Sequence, residues 1–186
     1  MKKLKKIIAM CLATVMAMSV MCVGAFAAEI DTAEPTVTAE SIAAVTLDES
    51  KFIDTTVQAS VQPRGTSEPS ATWDLSLDDY QSTFEFDTQI FTNYKFKNHN
   101  GTIKVDISAD FSGNIPSYAE DEYYYEVELW SSGIFGEKVL SEQLSFDTNW
   151  TVTFSNLPTS TKYYIVISQP YNHRHGVVSG DFVVYN

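Results

Sequence analysis

The sequence predicts an all-β fold, an antiparallel β-sandwich of seven to eight strands that occupies residues 73–186. Apolar and polar residues alternate in short runs, most regularly over residues 102–109 and 123–131, which is the period of a half-buried strand. Turn-forming residues separate these runs, and the Asn-Gly pair at residues 100–101 favours the positive φ of a tight hairpin. Because this region has essentially no run with a helical period, we expect a sandwich of short strands.

Taken in order, the predicted strands begin with an aromatic run at residues 82–91, which residues 94–97 continue or pair with. Further strands follow at residues 102–109, 123–131, around 138–140, in two runs within 150–168, and at 177–185. In the strand at 123–131, alternation places Tyr125, Val127 and Leu129 on one face. The opposite, polar face carries Tyr124, Glu126, Glu128 and Trp130.

Residues 150–168 hold two alternating runs joined by a polar corner. Leu157, Pro158, Thr161, Tyr163 and Ile165 look like the L-P-x-x-T-x-Y-x-V signature of fibronectin type III-like domains, with the proline one place early. The resemblance implies an immunoglobulin-like sandwich in which the Tyr163 hydroxyl bonds to the backbone of the corner. The pattern of the whole domain also resembles small secreted β-sandwich domains of Gram-positive bacteria. Neither resemblance implies a fixed activity.

Residues 1–27 have the features of a secretory signal peptide. A lysine-rich start precedes an apolar run at residues 7–23, and Ala25 and Ala27 form an A-x-A cleavage site before Ala28. A retained membrane anchor is the alternative, but the apolar run is shorter than the ~20 residues that span a bilayer. Cys11 and Cys22 both lie in this segment, so we expect a secreted, extracellular product without disulfides or thiolate ligands.

Acidic residues dominate the predicted mature chain. The full chain has 12 Lys+Arg and 24 Asp+Glu; four lysines and no acids leave with the signal, so 8 basic and 24 acidic residues remain, a net charge of −16. This charge disfavours nucleic acid and anionic membranes as partners. The composition of residues 28–72 predicts an acidic flexible linker or pro-segment before the domain. A short helix at residues 39–47 is the alternative for part of this segment. We expect the protein to be a monomer.

No pattern in the sequence indicates catalysis. A serine hydrolase needs a serine beside a histidine, and the chain has only His99, His173 and His175 and no G-x-S-x-G motif. Glycoside hydrolysis needs two carboxylates across a cleft, and no spacing singles out such a pair. A small secreted hydrolase is therefore the least favoured of the functions considered, and no catalytic residue is predicted.

Calcium is the one cofactor that the sequence leaves open. Its oxygen ligands could come from the acidic loop at residues 110–122, or from Asp78 and Asp79. The four candidates in that loop are Asp110, Glu120, Asp121 and Glu122. The alternative is a solvated acidic loop. His173 and His175 have a spacing that can hold Zn²⁺ or Cu²⁺, but the sequence around them favours an exposed turn.

Exposed aromatic residues give the function hypothesis. Tyr124 and Trp130 lie on the polar face of their strand and Tyr171 lies in a loop, whereas Trp73 and Trp150 begin strands and are expected to cover the core or an edge. Sugars stack on exposed aromatic rings, so the sequence predicts a secreted, non-catalytic module that binds glycan or cell-surface material through Tyr124, Trp130 and Tyr171. Burial of these rings under a loop is the structural alternative. A module that docks a partner chain at a sheet edge is the alternative function.

Overall fold

All regular structure in the described part of the chain is β-strand. The computed structural model describes residues 33–48, 68–114, 123–133, 136–169 and 175–186. Its strands are β1 Thr36–Ile42, β2 Ala71–Asp74, β3 Tyr80–Phe86, β4 Gln89–Phe91, β5 Tyr94–Lys97, β6 Ile103–Asn114, β7 Tyr124–Ser131, β8 Lys138–Ser145, β9 Asn149–Ser155, β10 Lys162–Ser168 and β11 His175–Tyr185. Within these ranges, no helix is long and apolar enough to span a membrane.

The strands form two sheets. The first has the order β1-β9-β6-β11-β3, and the second has the order β2-β5-β10-β7-β8 with β4 also paired to β10. This arrangement confirms the all-β prediction and is consistent with a β-sandwich. The expectation of purely antiparallel pairing is wrong at one edge, where β2 runs parallel to β5. The described residues form eleven strands where the sequence predicts seven to eight, partly because the run at residues 82–91 divides into β3 and β4.

The core lies between the inner faces of the two sheets. Ile103, Val105 and Ile107 from β6 are fully buried, and so are Tyr125, Val127 and Leu129 from β7. These are the side chains that the period-two alternation predicts to point inward. A strand's inward face is a local property of its sequence, which is why this part of the prediction is confirmed.

The N-terminal segment differs most from the prediction. Residues Glu34–Asn186 form one compact unit, so part of the predicted linker at residues 28–72 belongs to the fold. The alternative of a short helix at residues 39–47 is wrong, since β1 pairs with β9 from Thr36↔Ser155 to Ile42↔Asn149. Its inward side chains are short, which left no strong apolar pattern in the sequence. The predicted signal peptide and its cleavage site lie outside the described residues.

Two predicted turns set the ends of the strands. The Tyr163 hydroxyl donates to the carbonyl oxygen of Pro158 at 3.3 Å, which confirms the predicted contact across the corner between β9 and β10. At the other turn, Gly101 has a φ of 76° and its amide donates to the Asn98 side-chain oxygen at 2.9 Å. Glycine adopts this conformation without strain. This turn connects β5 of the second sheet to β6 of the first, so the chain turns at the predicted glycine but the predicted hairpin is wrong. The Leu157 amide donates to the Gly101 carbonyl oxygen, so a backbone hydrogen bond connects the two turns.

Candidate functional site

Trp130 lies on the outer face of the second sheet and is held by two contacts. It is directly opposite Tyr164 of β10, and the two rings stack with centroids 6.3 Å apart and planes 19° apart. The indole Nε1 donates to Oε2 of Glu128 at 2.7 Å. Because the side chain is only half-buried, part of a ring with a fixed orientation remains accessible to solvent.

Tyr164 extends this contact into an aromatic row of Trp130, Tyr164 and Phe91. The Phe91 ring lies 6.2 Å from the Tyr164 ring, and Tyr164 itself is buried although it points away from the core. A Cβ at Gly136 would lie 3.3 Å from the Tyr164 hydroxyl and 3.1 Å from the carbonyl oxygen of Ser131. Glycine at position 136 therefore lets the chain after β7 lie close to the Tyr164 ring. The burial of the Tyr164 hydroxyl raises its pKa.

Polar side chains from β7 and β8 extend along the outer face of the sheet from Trp130. Glu128 is buried, and its carboxylate also accepts from the Ser168 hydroxyl at 3.2 Å and lies 3.6 Å from Nζ of Lys138. Glu126 accepts from Nε2 of Gln143 at 3.1 Å. The Glu128 carboxylate thus bonds to neighbouring side chains of the protein, whereas Lys138 and Gln143 are exposed to solvent. We call the side chains that carry this arrangement the β7 face: Tyr124, Glu126, Glu128, Trp130, Lys138 and Gln143.

The predicted aromatic residues are not brought into one cluster. Tyr124 is half-buried at the opposite end of β7 from Trp130, where it pairs with Ser145. Six residues of strand separate the two aromatics by about 20 Å. Tyr171 lies outside the described residues. Trp73 and Trp150 pack against the core, as predicted, and donate their indole N–H groups to main-chain carbonyls.

The predicted calcium ligands are only partly described. Asp110 is exposed on β6, in the other sheet from Trp130, so the loop predicted at residues 110–122 is wrong over residues 110–114, which continue the strand. Glu120, Asp121 and Glu122 lie outside the described residues. In the part of the chain that the structure describes, no group of three or more His, Cys, Asp or Glu side chains could hold a metal ion. Calcium binding by the acidic loop stays a prediction.

Asp74 forms a polar cluster that the sequence did not suggest. Its Oδ1 accepts from the hydroxyl and amide of Ser76 at 2.7 and 3.0 Å and lies 2.7 Å from Nε2 of His99, while Oδ2 accepts from Lys97 at 3.2 Å. The Ser76 bonds, followed by those of Lys97 and His99, lower the pKa of Asp74. The serine donates to the carboxylate and not to the imidazole, so this cluster is not a hydrolytic triad but a link between β2 and the end of β5.

A pocket opens between β3 and β4 at the side of the sandwich. Its lining includes Tyr80, Ile90 and Phe182, and its volume is about 10 Å³. A space of this size holds about one water molecule. It does not admit a sugar ring or a peptide, so the sheet faces and edges are the surfaces open to a larger ligand.

Comparisons of this chain with models of protein families, with curated proteins and with solved structures found no match.

Proposed function

We propose that the protein is a secreted, non-catalytic binding module that recognises glycan or cell-surface polysaccharide through the β7 face. The observation that carries this proposal is the fixed and partly accessible indole of Trp130 beside the exposed Lys138, with the exposed Gln143 further along the same face, opposite Glu126. The apolar C–H face of a sugar stacks on an aromatic ring. Ammonium, amide and carboxylate groups nearby then supply donors and acceptors for the sugar hydroxyls.

In this proposal, the negative charge of the protein determines whether it binds neutral or acidic polysaccharides. Glu126 and Glu128 lie within the β7 face, and the predicted mature chain carries a net charge of −16. An acidic polysaccharide would be repelled by both, whereas a neutral one would not. The proposed ligand is a neutral glycan.

The separation of the two aromatic residues indicates a long ligand. Tyr124 and Trp130 lie about 20 Å apart along one strand, with Glu126 and Glu128 between them. One sugar unit cannot contact both rings, but a linear chain that lies along β7 can. Affinity is therefore expected to rise with chain length until both rings are covered.

The fibronectin type III-like assignment is a further part of this proposal. The Tyr163–Pro158 hydrogen bond at the corner between β9 and β10 supports it. Because domains of that kind serve many functions, the assignment does not by itself favour glycan over protein as the ligand.

The test is retention of the full secreted protein on insoluble neutral and acidic polysaccharides and on bacterial cell walls. Gln143→Ala and Lys138→Ala remove exposed groups, and we expect each to weaken retention about 2- to 10-fold, the effect of one lost hydrogen bond. Lys104→Ala, on the other sheet, is the matched control and should bind like the unchanged protein. The proposal fails if the unchanged protein is not retained on any neutral polysaccharide or cell wall, if it prefers acidic polysaccharide, or if the β7-face variants behave like the control.

A parallel run with calcium and with a chelator tests the predicted ion. Retention that calcium strengthens, and that Asp110→Ala reduces, would support calcium binding by the acidic loop. Equal retention in both conditions would show that the β7 face acts without it.

A further inference from the structure

The edge of β9 binds an extended segment of the chain mainly through its backbone. All seven residues of β1 pair with β9. At the two ends of this ladder, side-chain amides of the acceptor complete it. Nδ2 of Asn156 donates to the carbonyl oxygen of Glu34, and Nδ2 of Asn149 donates to that of Ala43, both at 3.1 Å.

A third amide holds the same segment at the far side of the sheet. Oε1 of Gln81 accepts from the amide of Asp48 at 3.0 Å, and Nε2 of Gln81 donates to the carbonyl oxygen of the same residue. Gln81 belongs to β3, the edge opposite β1, about 19 Å away across five strands. Six residues of extended chain cover about 20 Å, so residues 43–48 pass across the sheet in extended form.

This mode of binding requires little from the bound sequence. Apart from main-chain bonds, the segment contributes the small side chains of Val37 and Ala39 to the core. β1 also lies beside β8, so its place is a groove at the side of the sandwich between β9 and β8. An extended segment with short apolar residues at alternate positions satisfies this groove.

We infer that the β9 edge is a strand-acceptor site and that the segment Glu34–Asp48 of a second copy occupies it, so that copies exchange their N-terminal arms. The partner segment is identical in sequence and makes the same ladder and amide bonds in the same register. Exchanged and unexchanged states therefore differ in chain connection and not in contacts, which is the condition for strand swapping. Residues 49–67 join the segment to Glu68, and their length permits a reach of about 60 Å to a neighbouring copy.

Arm exchange would join copies without using the β7 face, which belongs to the other sheet. A linked set of copies would bind a polysaccharide at several points, and its avidity would exceed the affinity of one copy. The sequence predicts a monomer, whereas under this proposal the protein is monomeric at low concentration and associates as the concentration rises.

Disulfide trapping tests the exchange, because the chain has only two cysteines. Both native cysteines are first replaced in the full chain, by Cys11→Ser and Cys22→Ser. One variant of this chain then carries Thr38→Cys and a second carries Thr153→Cys. These two positions lie directly opposite each other in the β1–β9 ladder. Mixed under oxidising conditions, the two variants should form a disulfide-linked heterodimer whose yield rises with concentration. Glu40→Cys mixed with Ser155→Cys is the control, since these positions are as accessible as Thr38 and Thr153 but lie four residues out of register, and they should give little product.

Two further measurements make the result decisive. The double variant Thr38→Cys/Thr153→Cys should close its disulfide within one chain at low concentration, which checks the register, and between chains as the concentration rises. Sedimentation of the unsubstituted chain should show dimers or larger species that increase with concentration. The inference is overturned if the in-register pair yields no more heterodimer than the control pair, or if the unsubstituted chain is monomeric at every concentration.

Discussion

Replacing Trp130 with alanine should weaken the fold measurably, because the side chain carries two contacts and not only an exposed surface. Loss of the stack on Tyr164 costs about 0.5–1.5 kcal/mol, and loss of the hydrogen bond to the Glu128 carboxylate costs about 1.5–3 kcal/mol. The sum is about 2–4.5 kcal/mol in the free energy of unfolding. For a unit of this size, that lowers Tm by about 4–18 °C.

Two conservative variants separate these contributions in thermal and urea unfolding. Trp130→Phe keeps a smaller aromatic ring on Tyr164 and removes the N–H donor, so we expect most of the loss to come from the hydrogen bond, about 1.5–3 kcal/mol. Trp150→Phe removes the corresponding bond to the main-chain carbonyl of Ser145 on another part of the surface. It is the matched control for glycan retention: both variants are destabilised, but only the change at Trp130 should weaken retention.

The reasoning about Trp130 would be refuted by unfolding curves in which both Trp130→Ala and Trp130→Phe match the unchanged protein. That result would mean that the indole is not held by Tyr164 and Glu128. Loss of retention in Trp130→Ala should be measured well below its own Tm, so that binding and unfolding are not confused.

Three further predictions concern the frame that holds these surfaces. Gly180→Ala places a Cβ on the main-chain carbonyl of Ser108 and should cost about 3 kcal/mol or more in urea unfolding; a neutral result would contradict the close pairing of β11 with β6. Because the pKa of Asp74 is lowered in the fold, its ionised carboxylate stabilises the fold fully above about pH 4, and this stabilisation is lost as the pH falls further. Asp74→Asn should therefore flatten the dependence of the free energy of unfolding on acid pH. An unchanged profile would show that the Asp74 cluster does not stabilise the fold. Tyr163→Phe removes the hydroxyl at the corner and should cost about 0.5–1.5 kcal/mol, which equilibrium unfolding can detect; no loss would mean the bond does not form in solution.

The candidate site was predictable in part. Alternation along residues 123–131 places Trp130 on the outer face, and the structure confirms this placement. Alternation does not show that Tyr164 lies opposite Trp130, because that pairing depends on the register between β7 and β10. The contact that fixes the indole, and the burial of an outward tyrosine, were therefore beyond the sequence pattern.

The N-terminal segment was misjudged for a related reason. β1 lies more than a hundred residues from β9 in the chain, and most of its contacts are main-chain bonds that leave no trace in side-chain chemistry. Its inward residues Val37 and Ala39 are short, so its alternation is weak. The β-branched Thr36, Val37, Thr38 and Ile42 suit a strand, but it is the available sheet edge of β9 that pairs the segment.

The sequence by itself determined what depends on neighbours along the chain: the all-β class, the inward face of the central strands, the Asn-Gly turn and the corner at Tyr163. Each of these follows from a strand period of two or from the backbone preferences of a few adjacent residues. Only the tertiary structure decided which strands are adjacent, that β2 runs parallel to β5, that Trp130 rests on Tyr164, and that β1 completes the first sheet. These depend on bonds between distant segments, and such pairing is fixed by the whole fold and not by local sequence.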